Sequence, residues 1–219
     1  INTHVLVSEY EKASGKVQVV DYSKYLDQVP ELAVPGAHNR LDAAAAYAVA
    51  EILGIQEGIT QKSLAEFGGT WRRLEKKGVT AEGTVVYDDY AHHPTEVRAS
   101  LQALREIYPK GEKNIVVIFQ PHLYSRTKAL FADFVTCFKE ADRVLLLPIY
   151  FAREDKDESV SSEKLAEAMS KNGVQVQAFA DFESAEQAVL ALKLGTNDVF
   201  VTMGAGEANK VSEKVLKLV

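Results

Sequence analysis

Cysteine is all but absent from these 219 residues: Cys137 stands alone. A single thiol excludes an internal disulfide and any zinc cluster built on several cysteines, and it fits a reducing cytoplasm. It falls within "LFADFVTCFKE", beside Leu130, Phe131, Phe134 and Phe138, where buried packing is expected rather than nucleophilic chemistry. No apolar run reaches the length of a membrane span, and "INTHVLVSEYEKASGK" lacks the pattern of a signal peptide. Positive charge is in deficit: 25 Lys and Arg stand against 31 Asp and Glu, which argues against binding nucleic acid by bulk electrostatics. Two nucleotide signatures are missing. Without GxGxxG a nicotinamide cofactor is not expected, and there is no GxxxxGK[ST] phosphate loop, since "SGKV" at 14–17 lacks its spacing. Adjacent His92 and His93 have no HExxH or second paired motif beside them, so no metal site is expected. The start at Ile1, not Met, reads as a trimmed product.

What is present suits one large domain or two small ones, since 219 residues with 47% hydrophobic and 26% charged content are ordinary for a globular chain. Residues 1–20 read as two short strands, "HVLVS" and "KVQVV", around a turn at Ser14-Gly15. "VPGAHNRLDAAAAYAVAEILG" predicts a Pro-Gly turn and a helix stopping at Gly54. "TQKSLAEF" predicts a second helix with Thr60 as its N-cap, ended by Gly68-Gly69. From about residue 79 strands and helices alternate. "TVVYDD", "NIVVIF", "RVLLLP", "VQVQAF" and "DVFVTM" read as buried parallel strands. Helical stripes recur at Val97, Leu101, Leu104 and Tyr108 behind Pro94, and at Ala185, Ala188, Val189 and Leu192. A doubly wound, mostly parallel α/β domain follows, with the boundary near Lys77–Thr80.

Ligands in such a sheet bind outside the carboxyl ends of the strands. Three polar clusters fall there: "DDYAHHPTE", "QPHLYSRT" and "MGAGE". His38, His92, His93 and His122 all lie where strand gives way to helix, more selectively than surface scatter would place them. The glycines of "MGAGE" read as tight packing. Arg72 and Arg73 suit phosphate, or else a solvated basic turn; Arg126, four residues after His122, suits a carboxylate, or else a surface cap.

The order of "PGAHNRLDAAAAYAVAEILGI", "FGGTWRRLE", "DDYAHHPTEVRASLQALRE" and "FQPHLYSRTKALFADF" resembles the Mur ligases over nearly the whole chain. That resemblance implies ATP-dependent joining of an amino acid to a UDP-linked muramic acid in peptidoglycan synthesis, and with it cell-wall biogenesis, cell shape and cell division. The pattern is most similar to members that add L-alanine to UDP-N-acetylmuramate. It makes residues 1–78 the tail of the central ATPase domain and 79–219 a Rossmann-like carboxy-terminal domain that brings the amino acid. The UDP-binding domain, the phosphate loop and most ligands of Mg2+ would then lie upstream, leaving this chain alone inactive.

By the same resemblance His38, Asn39 and Asp42 would meet adenine, Asp89 the ATP ribose, and Arg72 and Arg73 the phosphates. Arg73, His92 and His93 would serve catalysis, and Tyr90, His122 and Arg126 the incoming amino acid. Asp89 is expected at a strand end outside the core, so that its removal spares the fold. Three positions depart from the family pattern: Asp42 replaces an asparagine, Leu123 an arginine and Ala91 a glycine. Two other readings stay open, a ligase recycling the murein tripeptide and a non-catalytic module binding a nucleotide or partner.

Overall fold

The structure is a computed structural model that describes residues 20–217, so the two strands expected in residues 1–20 lie, apart from Val20, outside the described residues. It divides into two compact units, at Gly68 and Gly69. In the first, a 3-10 helix, Tyr22–Gln28, starts at Asp21, whose Oδ1 accepts from Ser23 N at 3.1 Å. Helix α1, Ala37–Ile52, follows the Pro-Gly turn, with Gly36 at φ 102 as its N-cap. Val29, Ala43 and Ala44 form a small core with Tyr25, Leu26, Leu32 and Leu64. Arg40 ties α1 to the end of the 3-10 helix by donating to the carbonyls of Leu26, Val29 and Pro30. Helix α2, Glu57–Glu66, begins before the expected Thr60 cap: Thr60 lies inside it and its Oγ1 donates back to Gln56 O at 3.4 Å.

The second unit is a six-stranded sheet, β1 (Glu75–Val79), β2 (Val85–Asp89), β3 (Asn114–Phe119), β4 (Arg143–Leu146), β5 (Val176–Ala178) and β6 (Asp198–Met203). Its order is β1-β2-β6-β3-β4-β5, parallel except for β1, which runs antiparallel to β2. The predicted α/β class and mostly parallel sheet hold. The unit starts at Gly69, however, so the expected boundary near 77–80 cuts through β1. That strand is an edge, "EKKGV", where charge is tolerated and apolar alternation is not needed.

Alternate residues of each strand feed opposite layers, as a two-sided sheet requires. Ile115, Val117 and Phe119 pack with Val199, Val201 and Met203 in one layer, against helix α3 (Pro94–Ile107), short helix α5 (Phe131–Thr136), which follows α4 (Tyr124–Ala129), and α6 (Ser162–Lys171). Val116, Ile118 and Phe200 face α7 (Phe182–Ala191) and α8 (Asn209–Lys217) in the other. The stripe Val97, Leu101 and Leu104 of α3 is fully buried. The chain from Tyr124 to Thr136 forms two short helices, α4 and α5, separated at Leu130, at φ -109 and ψ 21. Cys137 is buried as expected, and burial pushes its thiol up to about 12, which removes it from thiolate chemistry.

Candidate active site

The carboxyl ends of β2, β6 and β3 are laced together by backbone bonds: Gly204 N donates to Asp89 O at 3.1 Å and Gln120 N to Met203 O at 3.0 Å. On this frame the connection from β2 to α3 carries Tyr90, His92 and His93. His93 is the N-cap of α3: its Nδ1 accepts from Thr95 N at 3.2 Å. Glu96 closes the capping box by accepting from His92 N at 2.9 Å and His93 N at 3.1 Å. Burial raises the Glu96 carboxyl, but these two amide bonds and the charges of His92 and Arg73 outweigh it and leave the group below its ordinary value. The acid thus fixes the backbone from which both histidines project. His92 turns its Nδ1 to Tyr90 O at 3.0 Å.

Asp89 is not the free acid that its strand-end position suggested. Only 4% of it is exposed. Oδ2 accepts from Leu74 N at 3.0 Å and Ser100 Oγ at 2.8 Å, while Oδ1 accepts from Ala91 N at 2.7 Å. Burial pushes its carboxyl up, against those three donors and the charge of Arg73. The expectation that its removal would spare the fold is therefore corrected: Asp89 is a strut that holds Leu74, Ala91 and Ser100.

The two arginines of "WRRLE" part ways. Arg72 is buried at φ 54, with Nε on Asp88 Oδ2 at 2.7 Å, Nη2 on Gly204 O at 2.7 Å and Nη1 on Gly206 O at 3.4 Å. Its plane lies over the ring of Tyr90, 5.1 Å from the centroid. Every guanidinium nitrogen thus has a partner inside the protein, where the sequence expectation was a phosphate contact. Arg73 is exposed, and its charge acts on Asp89 and Glu96. The "MGAGE" glycines serve packing as expected: a Cβ on Gly204 would come within 2.7 Å of Gln120 O, and one on Gly206 would collide with the Gln120 side chain.

After β3, His122 and Arg126 come together. Arg126 Nη1 lies 3.4 Å from His122 Nδ1, which makes Nδ1 the acceptor and places the imidazole proton on Nε2. Burial, then the charges of Arg126 and His92, hold His122 below its ordinary value, with Glu154 opposing. A neutral imidazole N–H beside a guanidinium fork offers donors only, the chemistry that binds a carboxylate. Rings continue along the same edge. Tyr90 meets His92 at 5.4 Å, His92 meets His122 at 5.9 Å, and His122 stacks on Tyr150 at 5.4 Å and 20°.

Tyr150 and Glu154 were not anticipated, although "PIYFARED" follows β4 at the same carboxyl edge, where the strand-end rule would have found it. His38, Asn39 and Asp42 lie in the first unit, on the opening turns of α1. Asn39 Nδ2 donates to Pro35 O at 2.6 Å, His38 is half-buried and Asp42 is exposed. No group of three or more His, Cys, Asp or Glu side chains placed to hold a metal ion occurs among the described residues.

Comparison with known proteins matches residues 72–206 to the family described as Mur ligase, glutamate ligase domain. The chain is 46% identical over 186 residues to the UDP-N-acetylmuramate–L-alanine ligase of Acidithiobacillus ferrooxidans, covering 85% of this chain and 39% of that protein. It is 42% identical over 209 residues to the enzyme of the same name from Caldanaerobacter subterraneus, covering 94% and 44%. The crystal structure of UDP-N-acetylmuramate-alanine ligase from Thermotoga maritima superposes with a TM-score of 0.71 at 29% identity, over 85% of this chain and 39% of that one. The chain thus spans about two fifths of the relatives it matches, 39% and 44% of the two named here.

Proposed function

This chain belongs to the Mur ligase family, and from that premise we propose that it is the carboxy-terminal part of a cytoplasmic, ATP-dependent ligase joining L-alanine to UDP-N-acetylmuramate. The observation that carries the reading is the His122–Arg126 pair, which offers donors at the carboxyl edge of the sheet. Its mate is the exposed Arg73, free of the internal bonds that hold Arg72. The substrates are two carboxylic acids and a triphosphate, so a site of cations and N–H donors suits all three.

In this reading the muramoyl carboxylate attacks the γ-phosphate of ATP, releasing ADP and forming an acyl-phosphate. The neutral amine of the amino acid then displaces inorganic phosphate to form the amide. Arg126 and His122 hold the amino-acid carboxylate, and Tyr90 and His92 wall the same edge. Arg73 meets charge on the transferring phosphoryl group, since positioned cations supply most of what phosphoryl transfer needs. Among the described residues Oδ1 of Asp89 accepts one hydrogen bond, from Ala91 N, which leaves an acceptor position for a ribose hydroxyl. His38, Asn39 and Asp42 are the adenine-side residues. ATP brings Mg2+, which would neutralise phosphate charge; most of its protein ligands would lie upstream of this chain. His93 serves catalysis by fixing the start of α3, and the domain pairing follows the family order, with residues 20–68 contributing to the ATPase domain.

The test is phosphate release by the full-length enzyme. Turnover should require UDP-N-acetylmuramate, ATP and L-alanine together. Turnover with the murein tripeptide in place of L-alanine would favour the recycling ligase instead. Failure with either acceptor, despite ATP binding, would favour a non-catalytic module.

A further inference from the structure

The connection between β3 and α4 is held from outside by a segment that no motif singled out. Residues 150–157 run beside 121–128. Tyr150 N donates to Pro121 O and Leu123 N donates to Tyr150 O, each at 2.8 Å. Ser125 N donates to Glu154 Oε2 at 3.0 Å, Ser125 Oγ donates to Glu154 Oε1, and Lys128 Nζ meets Asp157 Oδ2 at 2.9 Å. Both oxygens of Glu154 therefore accept from Ser125, immediately before Arg126.

Helix α4 needs that support. It has only six residues, far too few to be stable on local bonds, and its N-cap Leu123, at φ 72, has no side-chain cap. Glu154 supplies from another loop what a capping side chain normally provides, an acceptor and a negative charge at the first turn. Arg126 belongs to that turn. The bonds from Ser125, with the nearby Arg126 charge, favour the ionised form of Glu154 and hold its carboxyl below the ordinary value.

We propose that Glu154 is a positioning residue for the amino-acid site: by capping α4 from the loop after β4 it holds the Arg126 guanidinium beside His122. The proposal rests on the assignment of His122 and Arg126 to the substrate carboxylate. Glu154 itself touches no substrate.

Full-length enzyme carrying Glu154→Ala, Glu154→Gln, Arg126→Ala or the first and third together supplies the test. Glu154→Ala should raise the KM for L-alanine about tenfold, with kcat and the KM for ATP within about twofold. Glu154→Gln keeps one acceptor oxygen and should recover much of the loss. The double variant should be no worse than Arg126→Ala alone, because Glu154 acts through Arg126. In the 219-residue chain, 15N shifts of His122 should report an acceptor Nδ1 in the wild type and a tautomer mixture in Glu154→Ala. Multiplying effects in the double variant, or equal rises in both KM values, would overturn the proposal. So would a silent Glu154→Ala beside an impaired Arg126→Ala. An unchanged L-alanine KM in Arg126→Ala would instead sink the site assignment itself.

Discussion

Arg72 donates its Nε–H to Asp88 Oδ2 at 2.7 Å, with only 6% and 2% of the two side chains exposed. The pair ties the loop before β1 to β2, and Thr202 Oγ1 completes it by donating to Asp88 Oδ1 at 2.5 Å. A second bond from Arg72 holds the carbonyl of Gly204 at the end of β6. Removing the cation would leave a buried carboxylate without its counter-charge. We expect Arg72→Ala to cost about 3–5 kcal/mol in equilibrium denaturation. Arg72→Lys should recover only part of this, because an ammonium cannot reproduce the fork. A loss below about 1 kcal/mol would mean that water reaches Asp88.

Asp89→Ala should strike twice. Leu74 N, Ala91 N and Ser100 Oγ each lose their acceptor, so the chain should be destabilised by about 3 kcal/mol. In the full-length enzyme, ATP affinity should fall about tenfold or more through the lost ribose contact. Denaturation and calorimetry on the same variant separate the two. Wild-type ATP affinity in a destabilised variant would leave Asp89 a strut alone.

Glu96 sets a pH dependence. Its folded value lies below its ordinary one, so its contribution is present above the unfolded value of about 4.3 and fades as pH falls through the folded value. Glu96→Gln has no such titration. Wild type and variant should therefore differ most near neutral pH and converge in acid, when urea stability is measured across that range. Parallel pH curves would contradict the link.

How much of this could be read beforehand depended on burial. Strands β3 and β6 match "NIVVIF" and "DVFVTM" residue for residue, because strands covered on both faces are continuous apolar runs. Edge strand β1 carries no such signal. The start of α2 was misplaced because its N-cap, Gln56, makes no side-chain cap bond, while Thr60 offers the usual cap chemistry inside the helix. In the site, Tyr90, His92, His122 and Arg126 meet at one sheet edge, as the strand-end rule predicts. Sequence placed both Arg72 and Arg73 at the phosphates and could not foresee their different burial. Backbone geometry accounts for it: Arg72 and Leu74 both adopt left-handed conformations, φ 54 and 46, and alternate members of the loop turn inward. Glu154 was invisible because a cap supplied from a loop 29 residues away leaves no local spacing to recognise.

The pairing of Arg126 with His122 is the centre of the functional account, and one conservative change tests it most directly. Lysine keeps the charge of Arg126 but cannot grip a carboxylate at two points while also reaching His122 Nδ1. Leu123 leaves no second arginine in "QPHLYSRT" to share the load. Steady-state kinetics of full-length Arg126→Lys, with each substrate varied in turn, should show the L-alanine KM raised about tenfold or more and the ATP KM little changed. An L-alanine KM equal to wild type would contradict the account and return Arg126 to the role of a surface residue on a short helix.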